Sequence, residues 1–304
     1  MHSIGKPLAL WAATLTLGCS LGAAIQGSFD RTLKVDGPVD LLIETDSGGI
    51  VVRGGAEGEV QIKGTVSVSR RLSNAEAERK LRAIEQTPPI SQDNGRIRIG
   101  RGVGDRELQR NLSVTYEIIV PTQTELKSSS DSGGQTIEDL SGPVNARADS
   151  GGLRIHNIGA KVTARSDSGG QKIDSIVGHV DASADSGGLK ISNVSGSVSA
   201  QTDSGSINAE DVAGGFRGRA DSGSIRVSQT APGDVSIHTD SGSIKIRTAP
   251  EAGYDINIRT DSGGINMRTP TDGLSVRRNR VEGKIRGGGQ RLDASADSGS
   301  VTVD

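Results

Sequence analysis

One short phrase, Asp-Ser-Gly followed by Gly or Ser, returns on a fixed count. It begins at Asp131, Asp149, Asp167, Asp185, Asp203 and Asp221, in five steps of 18 residues. It comes back at Asp240, Asp261 and Asp297, in steps of 19, 21 and 36, the last being twice 18. A fixed period with a turn signal in every unit is the mark of a solenoid, in which each repeat is one coil and stacked neighbours build the core.

Apolar residues keep fixed places within the unit. With Asp as position zero, position six reads Ile137, Ile155, Ile173, Ile191, Ala209, Val227 and Ile246. Position nine reads Leu140, Ile158, Ile176, Val194 and Val212; position thirteen reads Val144, Val162, Val180, Val198 and Phe216. Position fifteen is Ala146, Ala164, Ala182 and Ala200. Alternation with polar residues is the period of a half-buried strand, so each unit supplies two short strands and two bends. The 43 glycines exclude a helical reading. The expected fold is all-β: a parallel β-solenoid of 18-residue coils over 128–304. Roughly ten coils about 4.8 Å apart would make a rod on the order of 45 Å long. Position four alternates, Gln135, Leu153, Gln171, Leu189, before settling on Ile, which places it at the rim of the core.

The repeated phrase has a plain structural reading. Asp and Ser side chains can accept hydrogen bonds from nearby backbone N–H groups, and Gly takes φ > 0 without steric cost. Stacking adds a difficulty, because carboxylates about 4.8 Å apart repel by about 1 kcal/mol even in water. Local donors, interleaved Lys or Arg, or a bound cation must offset this. Calcium held by Asp131, Asp149, Asp167, Asp185, Asp203 and Asp221 is one alternative. Against it, a calcium β-roll carries two nine-residue Asp/Gly turns per coil, whereas these units carry one.

Residues 1–27 read as an export signal: Lys6, the apolar run LALWAATLTL, then small residues. Gly22-Ala23-Ala24 resembles a signal-peptidase site, while Leu17-Gly18-Cys19-Ser20 resembles a lipobox in which Cys19 would be lipidated. Retention as a membrane anchor is a third outcome, since Leu8–Ile25 is at the short limit for spanning a bilayer. Cys19 is the only cysteine, so no disulfide or thiolate metal site can form in a chain cleaved after it.

Residues 28–127 are less regular and are expected to cap the solenoid. Asp46-Ser47-Gly48-Gly49 is an early copy of the repeat phrase, 85 residues ahead of the next. Between them, Ser73-Asn74-Ala75-Glu76 has the form of a capping box, with Ala77, Leu81 and Ile84 on one face behind it. One short helix is expected at about 74–86, ended by Pro88-Pro89. At the far end Val301-Thr302-Val303-Asp304 reads as a strand without a cap, an edge open to a partner or guarded by charge.

The export signal, the Tyr116-Glu117-Ile118-Ile119-Val120-Pro121 phrase, the serial DSGG/DSGS units and the closing VEGKIRGGGQRLDASADSGSVTVD resemble the bacterial "putative adhesin" family. The resemblance covers nearly all of the chain after the leader. It implies an exported β-strand-repeat protein, and it carries no active site to transfer.

Enzymatic readings find little support. DSGG surrounds the nucleophile of trypsin-like proteases, but His156, His179 and His238 hold different places in their units, and a triad needs an oriented base. A polysaccharide-acting enzyme would need acidic or basic groups converging at one place, whereas here charge is spread by register. The sequence calls for no cofactor.

Binding is better supplied. Position five reads Arg154, Lys172, Lys190, Arg226 and Lys245, and position sixteen offers Arg147, Arg165 and Arg219. These are either a solvated face whose stems shield a thin coil or a basic stripe for an anionic surface polymer. Arg277, Arg278 and Arg280, in the irregular stretch 269–291, form a second candidate patch. Nucleic acid is disfavoured, because aromatic residues for base stacking are few and scattered. The sequence therefore points to a non-enzymatic structural, adhesion or partner-binding rod of the cell envelope. Its place would be the periplasm, the outer membrane or the cell surface, its partner an envelope protein or anionic polymer, with edge or end-to-end association possible for its strands.

Overall fold

The computed structural model describes residues 26–304 except 56 and 70, so the expected leader, with Cys19, lies outside the described residues but for Gln26 and Gly27. Two sheets, of 13 and 14 strands, enclose an aliphatic core. Each unit gives one strand to each sheet: Gln171–Ile176 belongs to the 13-stranded sheet and Val180–Ala184, after a bend, to the 14-stranded one. Neighbouring coils pair parallel and in register. Ile155 stands opposite Ile137 on one side and Ile173 on the other, and Ile173 stands opposite Ile191. Val162 and Ala164 are likewise flanked by Val144/Ala146 and Val180/Ala182. The β-solenoid expected from the period is the observed fold.

Inside the coils, position four is not at the rim. Gln135 and Gln171 are each 2% exposed. Gln171 Nε2 donates to the Ser183 carbonyl at 2.6 Å, and Gln135 Nε2 to the Arg147 carbonyl at 2.5 Å. A buried amide is tolerated because these backbone acceptors replace water.

The turn chemistry also differs from expectation. In two coils the serine before Asp makes the closing bonds: Ser130 Oγ accepts from Gly133 N at 2.7 Å, and Ser166 Oγ donates to Gly169 O at 2.6 Å. Nor is the constant glycine there for a positive φ in the central coils. A Cβ on Gly151 would lie 2.0 Å from the Gly133 carbonyl oxygen, and one on Gly169 2.0 Å from that of Gly151. Stacked turns approach so closely that only a hydrogen fits. At the next position a Cβ on Gly170 meets Gly188 O at an ordinary 3.6 Å, which is why Ser206 and Ser224 can stand there.

The other bend is made by position eight. Asp139, Asn157, Ser175, Asn193 and Asp211 all have φ between 54° and 61°. Asn, Asp and Ser bear this region better than β-branched residues do.

Layer order departs from chain order at both ends. Asp40–Thr45 and Ile50–Gly54 form a coil that lies inside, between the coil of Glu125–Ser130 and Gln135–Leu140 and an outer one built from Arg96–Gly100 and Leu112–Val120. Antiparallel strands Gln26–Lys34 and Glu59–Val68 close one sheet, and Ile90–Asp93 closes the other. The helix Asn74–Gln86, N-capped by Ser73, buries Ala77 and Ile84 beside them. At the opposite end, the closing strand is not a bare edge. Gln290–Ser298 and Val301–Val303 are inserted between the coil containing Asp240 and the coil containing Asp261. The 36-residue step is therefore not a skipped layer. A hairpin, Thr271–Arg277 with Arg280–Ile285, covers the outer strand Tyr254–Ser262.

Candidate functional site

Register carries the two charge columns onto the surface as continuous files. The first follows the Asp turns along one edge of the rod. Arg101, from the outer N-terminal coil, reaches Asp46 at 2.9 Å and Asp131 at 3.0 Å. Arg147 lies 3.2 Å from Asp149 and 3.3 Å from Asp167, and Arg219 3.6 Å from Asp221. His238 Nε2 is 2.9 Å from Asp240. Protein cations thus offset part of the repulsion expected along this column, while Asp185 and Asp203 have no ion-pair partner among the described residues. Desolvation opposes ionisation of Arg101, yet the carboxylates of Asp131, Asp46 and Glu44 raise its pKa on balance.

Among the described residues one group brings metal-type ligand atoms together: His238, Asp240 and Asp297, within 4.8 Å of one another. Ser295 Oγ, 2.8 Å from His238 Nδ1, orients the ring. Asp297 arrives there only because its coil is inserted beside that of Asp240. These are the side chains best placed to take a cation.

The second file runs up the outer face of the 13-stranded sheet. Arg154 stands opposite Lys172, Lys172 opposite Lys190, and Arg226 opposite Lys245, with Asn208 bridging Lys190 to Arg226. Parallel strands repeat at about 4.8 Å, so the cations form a straight row. Among the described residues Arg154, Lys172, Lys190 and Arg226 have no carboxylate in salt-bridge reach; Lys245 is held by Asp304 at 2.9 Å. The position-sixteen arginines differ, since Arg147 and Arg219 turn to the Asp column.

Beside this row, position seven carries a local network that the sequence reading missed. Ser192 Oγ donates to Asp174 at 2.7 Å and Asn193 Nδ2 at 2.8 Å, while Ser175 lies 3.1 Å and His156 3.0 Å away. These bonds, that from Ser192 first, hold the Asp174 carboxyl down to about 2 against the opposing effect of burial. The recurrence of Asn, Asp and Ser at position eight was the available signal.

Arg277, Arg278 and Arg280 sit at the tip of the end hairpin, away from the row on the other sheet. Arg280 pairs with Glu282, and Asn279, between Arg278 and Arg280, donates to the Asp261 carbonyl at 3.1 Å. The structure does not bring the two basic candidates into one site.

No curated protein matches the chain. Solved structures similar to it include a "putative cell adhesion protein" from Clostridium sporogenes, 11% identical, covering 92% of this chain and 99% of its own, with a TM-score of 0.22. A "putative adhesin" from Bacteroides fragilis is 12% identical over 91% of this chain and 97% of its own, with a TM-score of 0.42. Another from Parabacteroides distasonis is 8% identical over 91% and 97%, with a TM-score of 0.40. A family model matches residues 41–304, from the inner N-terminal coil to the inserted closing one, and the chain belongs to the Toastrack DUF4097 family.

Proposed function

We propose that the protein is a non-enzymatic, exported β-solenoid of the cell envelope that holds a linear anionic partner against the outer face of its 13-stranded sheet. In this reading residues 1–27 direct export, with lipidation at Cys19 as one route to a membrane. The observation that carries the proposal is the row Arg154, Lys172, Lys190, Arg226 and Lys245, in register and with four members lacking a counter-ion among the described residues. A row of cations carried on a rigid sheet raises the local concentration of a polyanion without any ordering of the protein backbone. Its chemistry suits a phosphate-bearing surface polymer better than a nucleic acid, because no aromatic platform accompanies it.

Binding of inorganic polyphosphate, followed by calorimetry at low salt, tests this. Replacing Arg154, Lys172, Lys190 and Arg226 by Gln should weaken binding roughly 10- to 100-fold, each exposed contact being worth about 1 kcal/mol or less. Replacing Arg277 and Arg278 by Gln should leave it nearly unchanged. Equal losses in both variants would remove the sheet face as the site.

A further inference from the structure

The segment Gln290–Asp304 occupies a slot between two coils that both precede it in the chain. Leu292 and Ala294 stand opposite Val235 and Ile237 on one side, and opposite Ile256 and Ile258 on the other. Val301 and Val303 stand between Ile244/Ile246 and Ile265/Met267. Backbone bonds run to both walls: Ile244 N donates to Ser300 O at 2.9 Å, and Val301 N to Gly264 O at 2.9 Å. The Asp304 carboxylate reaches Lys245 on one wall at 2.9 Å and Arg268 beyond the other at 3.5 Å. Leu292, Val301 and Val303 are fully buried.

The link into the slot is an arch. Ile285 and Gln290 both stand opposite Tyr254, on its two sides, so Arg286–Gly289 must step across the end of that strand. All four linker residues have positive φ, 48°, 80°, 88° and 150°, and three are glycine. Arg286 pins the arch to the Ala252 carbonyl at 3.0 Å. Glycines in series can open this arch into an extended connection at little steric cost.

We propose that Gln290–Asp304 is an exchangeable coil, and that the slot accepts the same segment from a second copy of this chain. Every one of these register contacts would be remade with identical residues in a swapped pair, so only the linker and the entropy of association distinguish the two states. The layer order sharpens the point. The walls Val235–Ser241 and Tyr254–Ser262 are neighbours in sequence but not in space, so the native layer order is complete only once a coil, from this chain or another, stands between them. This inference is independent of the anion-binding face.

The experiment mixes two full-length variants in a Cys19→Ser background. One carries Ser236→Cys and the other Asp293→Cys, residues that stand opposite each other across the slot. After concentration and brief partial unfolding with denaturant, refolding under oxidising conditions should give a disulfide-linked pair joining the two variants. A Thr163→Cys partner in place of Ser236→Cys should not be captured. The double variant, with both cysteines on one chain, reports whether the slot geometry is intact. If it closes its internal disulfide while the mixed variants give no more covalent pair than the Thr163→Cys control, the exchange does not occur.

Discussion

Gln171 Nε2 lies 2.9 Å from Ser166 Oγ, and together they make one polar layer inside an aliphatic core. Ser130 and Gln135 hold the same positions two coils away, with Gln135 accepting from Ser128, whereas the coils next to Gln171 carry Ala148 with Leu153 and Ala184 with Leu189. Polar and apolar layers thus alternate as matched pairs. Gln171→Leu alone strands the Ser183 carbonyl and part of the Ser166 hydroxyl, and should cost about 1–2 kcal/mol. Ser166→Ala alone should cost about 1 kcal/mol. The double variant recreates the natural neighbour and relieves Gln171 Oε1, which has no partner among the described residues. It should fall within about 1 kcal/mol of the parent in urea unfolding; simple addition of the two losses would refute the pairing.

Asp174 sets an acid limit on stability. Its folded pKa of about 2 lies below the ordinary carboxylate value near 3.9, so its bonds stabilise the fold at and above pH 4. That contribution is lost as pH falls through the interval from about 4 to 2. Allowing for partial solvent exposure, about 1–2 kcal/mol should disappear there. Asp174→Asn should be less stable at pH 7 and should show a flatter curve below pH 4. Circular dichroism across an acid series distinguishes the two.

The period, the two strands per coil, the inward columns and the helix at 74–86 were legible because each is a local pattern repeated or punctuated in sequence. The layer order was not. Tyr254–Ser262 and Gln290–Ser298 both present alternating apolar residues followed by Asp-Ser, so either could pair with Val235–Ser241. Pairing between identical patterns is decided by what covers the far side, here the hairpin Thr271–Ile285, and that is a tertiary fact. The reason for Gly169 was legible in principle: a position that is always Gly beside one that alternates Gly and Ser marks crowding rather than turn type. The basic row was readable by position five, but that Lys245 alone of its members is paired depended on where the inserted closing coil brings Asp304.

The two glycines of one turn should respond differently to a side chain. Gly169→Ala places a methyl group where the Gly151 carbonyl already sits, and should cost about 1–3 kcal/mol or more through forced separation of the stacked turns. Gly170→Ser enters open space at an ordinary contact distance and copies Ser206. It should change stability by no more than about 0.5–1 kcal/mol, in either direction. Thermal unfolding of the two variants side by side checks this. A comparable loss in both would mean that backbone conformation, not stacking distance, requires the glycines.

Phe216 offers a test of whether a coil's interior is filled as a unit. It stands in register between Val198 and Val235, and Gly218 between Ala200 and Ile237. A Cβ on Gly218 would lie 2.7 Å from the Phe216 ring, so the ring fills the space that the Ala200 methyl takes in the preceding coil. Phe216→Val alone should leave a cavity and cost about 2–3 kcal/mol. Gly218→Ala alone should overpack against the ring and cost about 1–3 kcal/mol. Combined, they recreate Val198 with Ala200 from the coil below, and most of both losses should vanish. Urea midpoints of the two single variants and the double one give the coupling directly. A coupling near zero would show that the ring and the glycine are unrelated, and that the coil relaxes around each change on its own.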